Sequence, residues 1–149
     1  MNIIYAGDNI KKKGFSIFLA GPTPRNKEVK SWRPEALEYL KEISYIDNVF
    51  VPEHKEILSV DYEYDEQIEW EWKALEVSDI IIFWIPRELK DMPAFTTNVE
   101  FGFQMARNPS KCILGAPNDA KKMGYLKYMA NHFDVPVFNN LKEMINSIK

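Results

Sequence analysis

Glu100 lies in the run Thr96-Thr97-Asn98-Val99-Glu100-Phe101-Gly102. Its immediate neighbours are apolar or aromatic, and Gly102 allows another backbone to approach closely. A carboxylate in such a setting can serve as a nucleophile toward an anomeric carbon, or as an acid–base group. The same residue also reads as a first-turn acid favoured by a helix dipole. Asp79 stands just before the most apolar run of the chain, and by spacing alone it reads as a turn residue that ends a helix. Glu69 and Glu71 lie on a tryptophan-rich stretch. Glu69 is expected to face solvent, whereas Glu71 is bracketed by Trp70 and Trp72. Arg25 and Arg87 each follow an apolar run, and each could meet an anion or pair with surface acids.

Other chemistries find less support. His54 and His132 form no metal-ligand pair and read as surface or loop residues. A pyrophosphate turn needs three glycines between strand and helix. Here the turn is Gly21-Pro22-Thr23-Pro24-Arg25, and its two prolines remove backbone donors. There is no phosphate-binding Gly-Lys-Ser/Thr loop. With one cysteine, neither an internal disulfide nor a cysteine-rich zinc site can form.

The elements that must position these residues alternate. Short apolar runs at Asn2–Ala6, Phe15–Ala20, Val49–Val51, Asp79–Ile85, Lys111–Leu114 and Val135–Phe138 read as strands. Cys112 is expected to be buried in one of them. Helical spacing is expected from Trp32 to Ile43, with Ser31 as N-cap and Ala36, Leu37, Leu40 and Ile43 as the apolar face. A loop should then run from the second of the central strands to Tyr64. The next helix should cover Glu66–Val77, capped by Asp65. There Ile68, Trp72 and Leu75 share one face, and Gln67, Glu71 and Ala74 a neighbouring one. Further helices are expected from Thr97 or Asn98 to Arg107, over Ala120–His132 and over Asn140–Ile148. This alternation predicts an α/β fold with a mostly parallel sheet. In such sheets ligands sit beyond the carboxyl ends of the strands. The segments to watch are therefore Gly21–Arg25, Pro86–Glu100 and Gly115–Asp119.

The 149 residues suit a single domain, with 46% apolar and 28% charged residues, both globular values. The net charge is −3, and its longest basic run is Lys11-Lys12-Lys13, which speaks against binding a nucleic-acid polymer or an anionic membrane. No apolar stretch reaches membrane-spanning length. The start of the chain lacks a secretory apolar region, so a cytoplasmic location is expected.

Several ordered motifs resemble the nucleoside 2-deoxyribosyltransferase-like family. They are Ile17-Phe18-Leu19-Ala20-Gly21-Pro22-Thr23-Pro24-Arg25, Ser31-Trp32-Arg33 and Val49-Phe50-Val51-Pro52-Glu53, then Gln67 with Trp70-Glu71. Ser78-Asp79-Ile80 leading into Phe83-Trp84-Ile85-Pro86-Arg87, and Met92 through Gly102, are the most specific. The resemblance spans about Phe15 to Ala106. It implies a doubly wound, flavodoxin-like domain with a mostly parallel five-stranded sheet and flanking helices. It implies exchange of nucleobases on 2-deoxyribose, with Glu100 as nucleophile and Asp79 as the acid or base-recognition group. Phe18, Gly21, Pro22, Arg25, Thr97 and Asn98 would line the substrate. Phe18 stands where classical members carry a tyrosine, and Ala94 where they carry an aspartate. The expected partners are a small nucleoside or nucleotide and a free nucleobase. No metal or organic cofactor is implied. A homo-oligomer with shared active sites is. Two alternatives stay open: a 2'-deoxynucleoside 5'-monophosphate N-glycosidase using Arg25 and Thr23, and a non-catalytic nucleotide-sensing module.

Overall fold

Alternating apolar runs and amphipathic stretches bury their apolar surfaces together when helices cover both faces of a sheet. That is the arrangement in the computed structural model, which describes residues 1–55 and 64–149. The strands are β1 (Asn2–Tyr5), β2 (Phe15–Ala20), β3 (Ile46–Val51), β4 (Ile80–Trp84), β5 (Cys112–Gly115) and β6 (Val137–Phe138). They form one six-stranded sheet in the order β1-β3-β2-β4-β5-β6, with every neighbouring pair parallel. The expected count of five is corrected to six because the short runs at both edges pair. Ile3 and Ile4 sit beside Val49 and Phe50, and Val137 sits beside Leu114.

The helices are α1 (Arg33–Leu40), α2 (Tyr64–Val77), α3 (Phe95–Arg107), α4 (Gly124–His132) and α5 (Leu141–Asn146). Successive strand residues point to opposite faces, and the core divides accordingly. Phe18, Ala20, Phe50, Ile81, Phe83 and Leu114 pack with α2, α3 and α4 through Trp70, Leu75, Phe101 and Leu126. Ile17, Leu19, Val49, Val51, Ile82 and Ile113 pack with α1 and α5 through Ala36, Leu40, Met144 and Ile145. Cys112 is buried as expected, and burial pushes its thiol up to about 12, so it is chemically inert.

The helices α1, α4 and α5 are shorter than expected, and α2 and α3 depart in ways that bear on the site. On α2 the buried residues are Trp70, Ala74 and Leu75, while Trp72 is 67% exposed. Helical periodicity defines a stripe but not which of two adjacent stripes meets the sheet. α3 begins at Phe95, two residues early, because Ala94 adopts a left-handed backbone (φ 59°) that turns the chain directly into the helix. Part of the loop expected before Tyr64 lies outside the described residues.

Candidate active site

The chain leaves β2 for β3 on one side and returns to β4 on the other, so the strand order reverses between β2 and β4. Loops diverging at such a point open a crevice at the carboxyl ends of the strands. A cavity of about 230 Å³ lies there. It is walled by Gly21, Pro22, Thr23 and Arg25 after β2, by Pro52 after β3, by one face of α2 and by the segment Pro93–Thr97 with Glu100. Gly21, at φ 154°, closes its floor. A Cβ there would overlap the Trp84 carbonyl oxygen at the end of β4 and press on the Trp32 ring.

Helix α3 carries Glu100 into this cavity. The helix is held to the sheet by Phe101, whose ring meets Phe83 of β4 edge to face at 5.1 Å. Such a contact adds about 0.5–1.5 kcal/mol to the burial itself. The helix begins at Phe95, so Glu100 lies in its second turn, not in the first-turn position favoured by the dipole. Gly102 faces open space, so no backbone approaches it. Glu100 keeps an opening to the cavity but is otherwise enclosed by protein. Burial, then the neighbouring Glu71, push its pKa up to about 8.

Glu71 comes from α2, one turn after Gln67, and both line the cavity. The Gln67 amide donates to Glu71 at 2.9 Å, and its oxygen stands 3.3 Å from the His54 ring nitrogen. His54 is thus half-buried beside the site, not a plain surface residue. The Glu71 and Glu100 carboxyl groups lie within hydrogen-bonding reach of each other. Burial raises the Glu71 pKa too, while Gln67 and the positive charge of Arg33 oppose the rise. Two carboxyls this close cannot both ionise freely, so ionisation of one disfavours ionisation of the other. Sequence reading did not select Glu71. Its available signals were its place one turn after Gln67 and its position between two tryptophans.

Of the residues expected to meet substrate, Gly21, Pro22, Arg25 and Thr97 line the cavity. Phe18 does not: it is fully buried in the core beneath α2 and α3. Asn98 does not either, because its side-chain oxygen is taken up by the guanidinium of Arg87. Arg87 is itself 6% exposed and also donates to the Lys122 carbonyl, and among the described residues it pairs with no acid. Arg25 lies over the Phe95 ring at 5.5 Å and makes no ion pair among the described residues.

Asp79 is not brought to Glu100. It precedes β4, whereas the cavity lies past the other end of that strand. Five residues at about 3.3 Å each separate the two ends by about 16 Å. Its carboxylate accepts from the Ser16 backbone N–H at 2.8 Å, the Ser16 hydroxyl at 2.9 Å and Lys12 at 2.9 Å. Partial burial opposes ionisation, but these donors outweigh it and hold the pKa below the ordinary value. Such a group ties two strand starts together and is a poor proton donor.

A second, larger groove of about 540 Å³ runs between α2 and α3 on the outside of the molecule. Trp72, Val99 and Phe103 line it and are 67%, 73% and 55% exposed. Glu100 lies between this groove and the cavity, lining both. Among the described residues no group of three or more His, Cys, Asp or Glu is arranged to hold a metal ion, and no helix is long and apolar enough to cross a membrane.

A family profile described as "nucleoside 2-deoxyribosyltransferase like" covers residues 14–120, which include every wall of the cavity. No curated protein matches the chain.

Proposed function

The chain belongs to the nucleoside 2-deoxyribosyltransferase-like family, and from that membership we propose that it transfers 2-deoxyribose between nucleobases through a covalent deoxyribosyl–Glu100 intermediate. The observation that carries the reading is the pair of partly buried, facing carboxyls, Glu71 and Glu100, at the wall of a cavity beyond the strand ends.

One proton on the pair suits the reaction. In the first step the shared proton, favoured on Glu100 in the free pair, passes to Glu71; the Glu100 carboxylate then attacks C1' as the C1'–N bond breaks, and Glu71 gives the proton to the departing base. In the second step a nitrogen of the incoming base attacks C1' and the C1'–O bond to Glu100 breaks. The incoming base gives its proton back to Glu71, so the charge state of the pair is restored. Two inversions give retention. Water in place of the second base gives hydrolysis. Glu71 takes the acid role here because it faces Glu100, and Asp79 is left a structural one. Thr97, Gly21 and Pro22 shape the wall against which the sugar would lie.

A second substrate class has a specific observation in its favour. Arg25, at the cavity rim and without a carboxylate partner among the described residues, suits the phosphate of a 2'-deoxynucleoside 5'-monophosphate. A nucleotide-sensing module has less support, since binding alone does not call for two carboxyls forced together.

We also infer that copies of the chain associate across the α2–α3 groove, next to Glu100. Its exposed apolar residues are flanked by Glu69, Lys73, Glu76 and Arg107, which a two-fold related copy could pair reciprocally.

The test is chromatographic. The protein is incubated with 2'-deoxynucleosides and a different free base, then with 2'-deoxynucleoside monophosphates, each alongside Glu100→Ala. A new deoxynucleoside, absent with the variant, supports transfer. Release of base alone supports hydrolysis. Ligand binding without turnover in either assay would overturn the enzymatic reading.

A further inference from the structure

We propose that Arg33 is a positioning residue: its guanidinium fixes the turn Gly21–Thr23 against the cavity and sets a buried positive charge on the wall it shares with Glu71 and Glu100. The inference deepens the reading above and rests on that pair being the reactive groups.

Arg33 opens α1, and the residue is 1% exposed. Its Nε donates to the Leu19 carbonyl at 3.1 Å and its Nη2 to the Gly21 carbonyl at 2.7 Å. Its Nη1 donates to the Thr23 hydroxyl at 3.1 Å and to Glu53 at 2.6 Å, with a longer contact to the Pro22 carbonyl at 3.5 Å. One planar fork thus holds the end of β2 and three successive residues of the cavity floor. Glu53 is fixed in turn by the Ser31 hydroxyl at 2.7 Å, and that same oxygen accepts the Arg33 backbone N–H at 3.2 Å. Lysine, a point charge with three donors on a flexible stem, cannot reproduce this set.

The charge of Arg33 has a second effect. Arg33 lines the cavity with both glutamates. The other titratable or charged groups around the pair are Glu53 and His54 after β3, with Arg25 and Tyr64 at the rim. Burial drives Glu71 and Glu100 toward their neutral forms, and the positive field of Arg33 opposes that for both. A doubly protonated pair has no nucleophile, and a fully ionised pair has no acid. Arg33 therefore holds the pair away from the doubly protonated limit.

The experiment is a carboxyl carbon NMR titration of the glutamate-labelled full chain without substrate, alongside pH–rate profiles. In Arg33→Gln the midpoint at which the pair loses its last proton should rise by about one pH unit. In Glu53→Gln, which leaves Arg33 unneutralised, it should fall. Arg33→Lys should keep the midpoint but raise KM several-fold, because the turn is no longer clamped. A residue acting only as a brace would lower activity in Arg33→Gln and leave the midpoint in place, and that result overturns the proposal. If Arg33→Gln does not fold, Glu53→Gln still decides: an unmoved or raised midpoint overturns it. If the midpoints move as stated while the wild type turns over no nucleoside or nucleotide, the role of Arg33 stands and the transferase reading falls.

Discussion

Glu71 on α2 and Glu100 on α3 meet carboxyl to carboxyl at the wall of the cavity, so neither titrates independently of the other. The pair loses its last proton at a pH near the raised value of Glu100, about 8. Above it there is no acid for the leaving base. We therefore expect kcat/KM to fall as pH rises through about 8, and to fall again at low pH where both groups are protonated. A rate that stays level from pH 7 to 10 would remove the shared proton from the mechanism.

The same pair should destabilise the fold at alkaline pH. The folded pKa of Glu100 lies above its ordinary value of 4.5, at about 8. Its contribution is therefore fully favourable below about 4.5 and is lost as pH rises through about 8. Glu100→Gln removes that loss. The variant should be inactive yet more stable than wild type, by on the order of 1–3 kcal/mol at pH 8. Urea unfolding of both proteins at pH 5 and pH 8 measures it, and the gap should be wider at pH 8.

Asp79→Asn should keep turnover within a few-fold of wild type and lose stability by about 1–2 kcal/mol, because the donors on Ser16 and Lys12 lose a charged acceptor. A fall in kcat of a hundredfold or more at unchanged melting temperature would return a catalytic role to Asp79.

Replacing Trp72 or Phe103 by glutamate puts a charge into the α2–α3 groove without touching the core. Sedimentation should show the wild type associated and the variants shifted toward monomer. A wild-type chain that sediments as a monomer at all concentrations would dismiss the interface.

The strands were legible because an apolar run bounded by Gly, Pro or Asp has few other readings, and the alternation of elements made the parallel sheet nearly unavoidable. Glu100 was legible as a carboxylate beyond a central strand. The placement of other residues was not legible, for identifiable reasons. Glu71 lies on a helix that the sequence divides into two plausible stripes, and only the sheet decides that Trp70 turns inward and Trp72 outward. The resemblance implies Phe18 at the substrate, although strand alternation fits a buried Phe18 equally well. The resemblance implies Asp79 at the base, whereas Asp79 precedes β4 and ligands gather past the opposite end of the strands. Asn98 could not be excluded from sequence, because its capture by Arg87 depends on the segment after β4 meeting the first turn of α3.

Gly21 changes how any survey of variants at this site would read. Its backbone lies against the Trp84 carbonyl and the Trp32 ring, in a conformation that L side chains rarely adopt. Every substitution there forces β2 and β4 apart at their carboxyl ends, whatever the chemistry of the new side chain. A mutational scan scored by activity would rank Gly21 beside Glu100, and the two would look alike. Scored by abundance they separate: variants at Gly21 disappear with the fold, while Glu100→Gln accumulates as an intact, idle protein.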